Sequence, residues 1–450
     1  MTDANAPAST RALAEQLFRA AVAGGDPYAA TRRALERAAL GARTWIVASG
    51  KAAVPMARAA IDALAARQRS PLGGVVITAE RGASADPLPV ITGDHPVPGE
   101  GSQGAADAIA GLVALIQPGD EVIVLISGGA SSLMAAPVAG LSAAAMHDLF
   151  RELHRAGAAI GVMNAFRKRV MRWGAGRLAL ALAHAHVTCL IASDVIGDDP
   201  AAIASGPCSG DPLTAADLVA LAQRERLWGA IPDDVRQLLD RVLAGQAPET
   251  PKPGLPALER VEPRIILGNR DALDAVARAA AARSLAARIA PTPITGGAAS
   301  MGRAIAEASV AARRALPPRT APPAPLSVPC RLLLAWGGET TVAMHGVTAG
   351  LGGRAQELAL AAAAVLHERG AEGRGITILS AGTDGRDGPT DAAGAIVDGR
   401  TWARIALSGG DPARALDRHD AYPALDAAGA LLRTGMTGTN VNDVVLALID

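Results

Sequence analysis

At 450 residues, half of them hydrophobic and 19% charged, the chain holds enough apolar material for two cores rather than one. Lys plus Arg equals Asp plus Glu at 43 each, and aromatics make up 2%, so neither a net basic field nor a set of stacking faces is there to bind nucleic acid. The three cysteines, Cys189, Cys208 and Cys330, are far apart and odd in number; no disulfide framework or C-x-x-C zinc site is readable, and a reducing compartment fits best.

The N-terminal MTDANAPASTRALAEQLFRA lacks the basic-then-apolar order of a signal peptide. The expected location is the cytoplasm, with no membrane partner. The first β-like run, TWIVAS (44–49), passes through Gly50-Lys51 into an alanine-rich helical stretch, 50–67. A Gly-Lys pair at such a junction resembles a phosphate-binding loop. However, Trp45 occupies the first Gly position of G-x-x-x-x-G-K-[ST], and Ala52 occupies the hydroxyl position. Lys51 sits where it can meet an anion, but other loops must supply the cradle.

GVVITA (74–79), VIVLIS (122–127) and VTCLIAS (187–193) read as further buried strands, with helical stretches over 103–116, 142–156 and 167–184. This alternation predicts a parallel sheet covered on both faces. Residues 121–146 are nearly uncharged and long enough to span a bilayer. Gly128-Gly129, Ser131-Ser132, Pro137 and Gly140 make them a strand, a turn and a helix instead.

Functional loops of a parallel sheet lie at the carboxyl ends of its strands, and polar residues collect there. Ser127-Gly128-Gly129-Ala130-Ser131-Ser132 follows the third strand and reads as a phosphate or carboxylate cradle. A tight turn with serine caps would look the same. The stretch also approaches the G-x-S-x-G elbow of α/β-hydrolases. Leu133 replaces the final Gly, and His345, His367 and His419 are not placed as a triad partner, so that reading is disfavoured. In 193–212, Asp194, Asp198, Asp199 and Asp211 crowd a Gly-Pro-Ser loop; for any one of them a solvated acid capping a helix is the plainer reading, but Asp194, directly after its strand, is the best candidate Mg2+ ligand, and Ser205-Gly206 adds a turn near a nucleotide. His184 and His186 lack a third ligand and are structural.

Two proline-rich segments, 245–263 and 317–329, read as linkers, with the domain boundary in the first: an N-terminal lobe over 1–255 and a smaller C-terminal α/β lobe over 256–450. Between them, RIILGNRDALDAVARAAAAR is a strand followed by a helix. Beyond the second come WGGETT (336–341), GLGGRAQELAL (350–360), the acidic glycine loop 378–399 and TGTNVNDVVLAL (437–448). Arg354 stands in the first turn of a helix, against its dipole, which calls for an anionic partner gripped bidentately. Pairing with Glu357 at i+3 is the plainer alternative. No dinucleotide G-x-G-x-x-G follows the first strand, which weakens a dehydrogenase reading.

Taken in order, ASGKAAVPMA, GDHPVPGEGS, LISGGASSLM, NAFRKRV, SDVIGDDPAAIASGP, GGETTV, GLGGRAQELAL, SAGTDGRDGPTDAAGA and GTNVNDVVLAL resemble the class II glycerate 2-kinases over residues 48 to 448. Some members of that family carry the label hydroxypyruvate reductase. The resemblance implies a Rossmann-like parallel α/β N-terminal lobe, a second α/β lobe and an active site in the cleft between them. It implies phosphorylation of D-glycerate at its 2-hydroxyl by ATP with Mg2+, and it leaves a homodimer open. It places the family's important lysine on Lys51 and its arginine on Arg354. Gly128, Gly129, Ser131, Ser132, Ser205 and Gly206 then face nucleotide phosphates, and Asp194 with Asp198 faces the metal. Ser49, His95, Asn269, Gly338, Glu339, Thr383, Asp384 and Asn440 line the cleft. Asp94, His95 and several aspartates are candidates for a general base.

Overall fold

The computed structural model describes residues 9–317, 330–343 and 350–450, so most of the second proline-rich segment and His345 lie outside the described residues. The chain divides into two compact units, one formed by Pro27–Leu267 and the other by Gly268–Asp450 together with the N-terminal segment up to Asp26.

The first unit is built on a six-stranded sheet: β1 (Thr44–Ser49), β2 (Gly73–Thr78), β3 (Val90–Thr92), β4 (Glu121–Ser127), β5 (His186–Ala192) and β6 (Pro263–Leu267). Every pairing is parallel, and the order is β3-β2-β1-β4-β5-β6. This is the doubly wound order, which reverses direction between β1 and β4. β1 and β4 are buried at every position; near-continuous apolar runs are what strands covered on both faces require. A separate helical cluster gathers Phe166, Leu149, Leu153, Val235 and Leu239.

The helix expected over 167–184 is broken. Helix Ile160–Val170 stops where Met171 bridges to Pro137, and the chain turns at Ala175 and Gly176, both with positive φ, before the short helix Arg177–Ala181. The division between units also falls outside 245–263. That segment is tied into the first unit, because Asp211 N donates to Pro251 O at 2.8 Å and Thr250 Oγ1 to Asp211 Oδ2 at 3.1 Å. β6 then extends the first sheet beside β5. Proline content marks an irregular path here, not a free linker.

The second unit carries a mixed sheet of β7 (Ala286–Ile289), β8 (Leu332–Gly338), β9 (Ile376–Gly382), β10 (Gly394–Asp398), β11 (Leu431–Leu432) and β12 (Asp443–Ile449). Its order is β11-β10-β9-β12-β8-β7, parallel only between β7 and β8. Helix Arg354–Glu368 is buried along nearly its whole length. Helix Thr10–Gly24, from the start of the chain, belongs to this unit; it buries Leu13, Leu17 and Phe18 and packs on helix Asn269–Ala281.

Candidate functional site

In the first unit, the expected residues gather where β1 and β4 end side by side, the switch point at which doubly wound sheets open a crevice. Gly50 has φ +130°, and a Cβ there would lie 2.1 Å from Ser127 Oγ, so only glycine lets the two loops meet. Lys51 N donates to Gly128 O at 2.9 Å, and Ala52 N to Ser127 Oγ at 3.0 Å. The Ser127 hydroxyl thus does the capping that Ala52 cannot do for helix Ala53–Ala65. The backbone of Lys51 is pinned to the β4 loop, while its side chain is exposed.

Around that lysine the double glycine leaves room for two titratable groups. A Cβ on Gly128 would fall 1.7 Å from Asp194 Oδ2, and one on Gly129 would fall 3.2 Å from the His95 ring and 3.4 Å from Lys51 Cγ. Burial raises the Asp194 carboxyl, with Lys51 opposing, and burial followed by the Lys51 charge lowers His95. Burial thus disfavours the charged form of both groups beside Lys51. Ser131 Oγ and Ser205 Oγ are 3.0 Å apart, and Ser132 Oγ donates to Pro96 O at 3.0 Å. Ser205 and Gly206 both have positive φ, which fits the expected turn. Ser49 is fully buried, and its hydroxyl has no partner among the described residues. Asp198 lies further along, in an exposed turn, and among the described residues no group of three His, Cys, Asp or Glu is arranged to hold a metal ion.

In the second unit, the ends of β8 and β9 and the start of β12 share one edge, since Asp443 pairs with both Gly338 and Gly382. Arg354 lies there, and its expected carboxylate partner is part of the chain. Nε and Nη2 donate to Asp443 Oδ2 and Oδ1 at 2.7 and 3.0 Å, and Nη1 meets Glu339 Oε1 at 2.7 Å. The alternative pairing with Glu357 is not made, because that carboxylate holds His419 Nδ1 at 2.7 Å. The helix dipole is answered by Asp387, which accepts from Ala355 N and Gln356 N at 3.1 and 2.8 Å. Burial disfavours the Arg354 charge, but Asp443 and Glu339 hold its pKa above the ordinary arginine value. Burial also raises Asp443, against Arg354, and pushes Asp387 up to about 7.

The other expected residues brace this edge. The Thr383 hydroxyl donates to Asn442 O at 2.7 Å and accepts from Val441 N at 2.9 Å. Asn269 Nδ2 donates to Val441 O at 2.6 Å and Asp443 O at 3.1 Å. Gly338 has φ +140°, with a would-be Cβ 2.3 Å from Ile294 O. Asp384 Oδ1 accepts from Arg386 N at 3.0 Å, while Asn440 Oδ1 takes only a long 3.4 Å contact from Asn442 N. Asp387, Asn442 and Asp443 stand out in the sequence only as polar members of the 378–399 and 437–448 loops, with no role of their own. Asn442, at φ +64°, gives its Nδ2 to Glu339 Oε2 at 3.0 Å. The one available signal was an acid heading an otherwise apolar strand, DVVLALI.

Comparison with known proteins agrees with this architecture. Residues 13–240 match the family model described as a domain of unknown function, DUF4147, and residues 332–443 match the MOFRL family. The D-glycerate 2-kinase of Thermotoga maritima is 37% identical over 98% of this chain and 99% of its own length. An Agrobacterium vitis protein named as a hydroxypyruvate reductase is 38% identical over 98% of this chain and 95% of its own. A crystal structure of the glycerate kinase from Thermotoga maritima superposes with a TM-score of 0.82 at 35% identity, covering 97% of this chain and 99% of that one. The doubly wound sheet, the loop edge of the mixed sheet and full-length similarity converge: the chain belongs to the glycerate 2-kinase family.

Proposed function

We propose that the chain transfers the γ-phosphoryl group of ATP to the 2-hydroxyl of D-glycerate, giving 2-phosphoglycerate and ADP. The observation that carries this is Lys51, pinned by backbone to the Ser127–Gly128 loop at the β1/β4 switch point. Phosphoryl transfer asks the protein for placement and charge stabilisation, with little covalent chemistry. Lys51 supplies a compact ammonium on a fixed base. Gly128, Gly129, Ser131, Ser132, Ser205 and Gly206 offer backbone and hydroxyl donors for nucleotide phosphates.

Mg2+ takes one or two carboxylates and leaves its other positions to phosphate and water. Asp194 fits that minimal role, and its burial-raised carboxyl gains most from a bound cation. Bound there, the ion would neutralise phosphate charge. Asp198 would join only through water. Arg354 has five N–H donors. Nε and one hydrogen on each of Nη2 and Nη1 go to Asp443 and Glu339, so two remain for the glycerate carboxylate or the phosphoryl group. In the first unit His95 is the further candidate to face substrate beside Lys51, with Ser49 buried; in the second, Asp384 and Asn440 are the candidates near Arg354, while Asn269, Gly338, Glu339 and Thr383 hold their loops. The buried thiols of Cys189 and Cys208, in no disulfide, fit a reducing cytoplasm.

The reductase reading rests on a relative's name and on a strand order that also suits dinucleotides. Incubation with ATP, Mg2+ and D-glycerate, followed by phosphorus NMR, tests the kinase reading: 2-phosphoglycerate and ADP are expected. Oxidation of NADH by hydroxypyruvate without ADP formation would replace it.

A further inference from the structure

The motif NAFRKRV is not used by the chemistry above. It ends helix Ile160–Val170 beside a cavity of about 440 Å3 within the first unit, whose walls include Arg169, Arg172 and Arg177 together with Val138, Leu238 and Val242. Backbone bonds fix its frame: Val138 N donates to Val170 O at 2.9 Å, and Arg172 N to Ala136 O at 2.8 Å.

Each arginine is anchored by part of its guanidinium and keeps donors over. Arg169 is 2% exposed; it pairs with Glu249 and, at 3.6 Å, with Asp211, and donates from Nη2 to Leu213 O at 3.0 Å, yet its buried Nε has no partner among the described residues. Arg177 uses Nη1 and Nη2 on the carbonyls of Lys168, Met171, Gly174 and Arg169, at 2.9 to 3.3 Å. Those carbonyls solvate its charge without neutralising it. Burial, and then the Arg169 charge, lower it to about 10. Arg172 spends Nη1 on Asp107 at 2.7 Å. Three guanidinium ions and the apolar side chains of Val138, Leu238 and Val242 therefore line one cavity, and Arg172 keeps N–H groups over.

We infer that this cavity is a second anion site, separate from the phosphoryl-transfer loops, taking a small organic acid: one carboxylate or phosphate on a short apolar body. Pockets for small ligands span roughly 300–1,000 Å3, so this one suits a compact molecule. The turn leading into Arg177, one of its lining residues, is bonded to the proposed nucleotide loop: Ala175 N donates to Ser205 O at 2.9 Å and Gly176 N to Gly206 O at 2.7 Å. Occupancy should therefore alter nucleotide affinity, and nucleotide should alter occupancy by the same factor.

Calorimetric titration of the full chain with phenyl phosphate, and with phenol as the uncharged control, tests this. The expected result is one saturable site for phenyl phosphate and none for phenol. Binding should persist in Lys51→Ala and fall at least tenfold in both Arg172→Gln and Ala247→Trp, the latter blocking the cavity mouth. Should Ala247→Trp misfold by circular dichroism, Arg172→Gln, at a partly exposed position, decides alone. No saturable heat, binding lost with Lys51→Ala, or binding indifferent to Arg172→Gln would each overturn the assignment; loss of kinase activity would not bear on it.

Discussion

Lys51 and Arg354 are held in opposite ways. The lysine has a rigid base and a free tip: its backbone is bonded to the neighbouring loop, while its side chain makes no hydrogen bond or ion pair among the described residues. The arginine is fixed at its tip, forked onto buried Asp443 and tied to Glu339. A lysine is a point charge on a flexible stem, whereas a guanidinium has a directional fork. The first can follow charge as it moves between oxygens; the second presents a charge whose direction is already settled.

The largest expected effect tests the free tip. Lys51→Ala should cost ~3–4 kcal/mol of transition-state stabilisation, roughly 10²–10³-fold in kcat/KM, by analogy with other lost charge donors. The melting temperature should stay unchanged because the side chain is exposed. Full turnover would remove Lys51 from the mechanism. Next, Asp443→Ala should lower stability by about 2–3 kcal/mol in a denaturant titration, toward the low side of broken buried pairs because Arg354 is 36% exposed. A smaller loss would mean that Glu339 alone suffices.

Arg354→Lys keeps the charge and loses the fork, at a cost of about 1–2 kcal/mol. If Arg354 grips the glycerate carboxylate, KM for glycerate rises; if it stabilises the phosphoryl group, kcat falls. The last effect concerns Asp387 and emerges only as pH changes. Its carboxyl titrates near 3.8 when unfolded and about 7 when folded. Between those values the folded chain holds a proton that the unfolded chain has released, so this group's contribution to stability is lost as pH rises from about 4 to 7. Melting curves across that range should be flatter for Asp387→Asn than for the parent chain.

Which parts of this were readable beforehand follows from range. β1, β2, β4 and β5 announce themselves through local β-branched runs, and the glycine loops at their ends through composition. Strand order does not, because the β1–β4 pairing joins segments separated by two further strands and two helices. Arg354 was legible as needing an anion, but Asp443, 89 residues away, was invisible as its partner. The helix expected over 167–184 failed for a similar reason: alanine content favours continuation, and a tertiary bridge to Pro137 ends it. The first proline-rich run misled because Pro251 and Thr250 bond to the Asp211 loop, which no local pattern encodes.

The opening helix, Thr10–Gly24, has a bearing on how this protein can be dissected. Because it seals Asn269–Ala281, a fragment beginning at residue 268 would expose to water the apolar stripe that Leu13, Leu17 and Phe18 normally cover. Such a fragment should clump or melt early, and supplying the missing peptide in trans should rescue it. The ribosome makes that helix long before its docking surface emerges, so the C-terminal half matures around a piece that has been waiting for it.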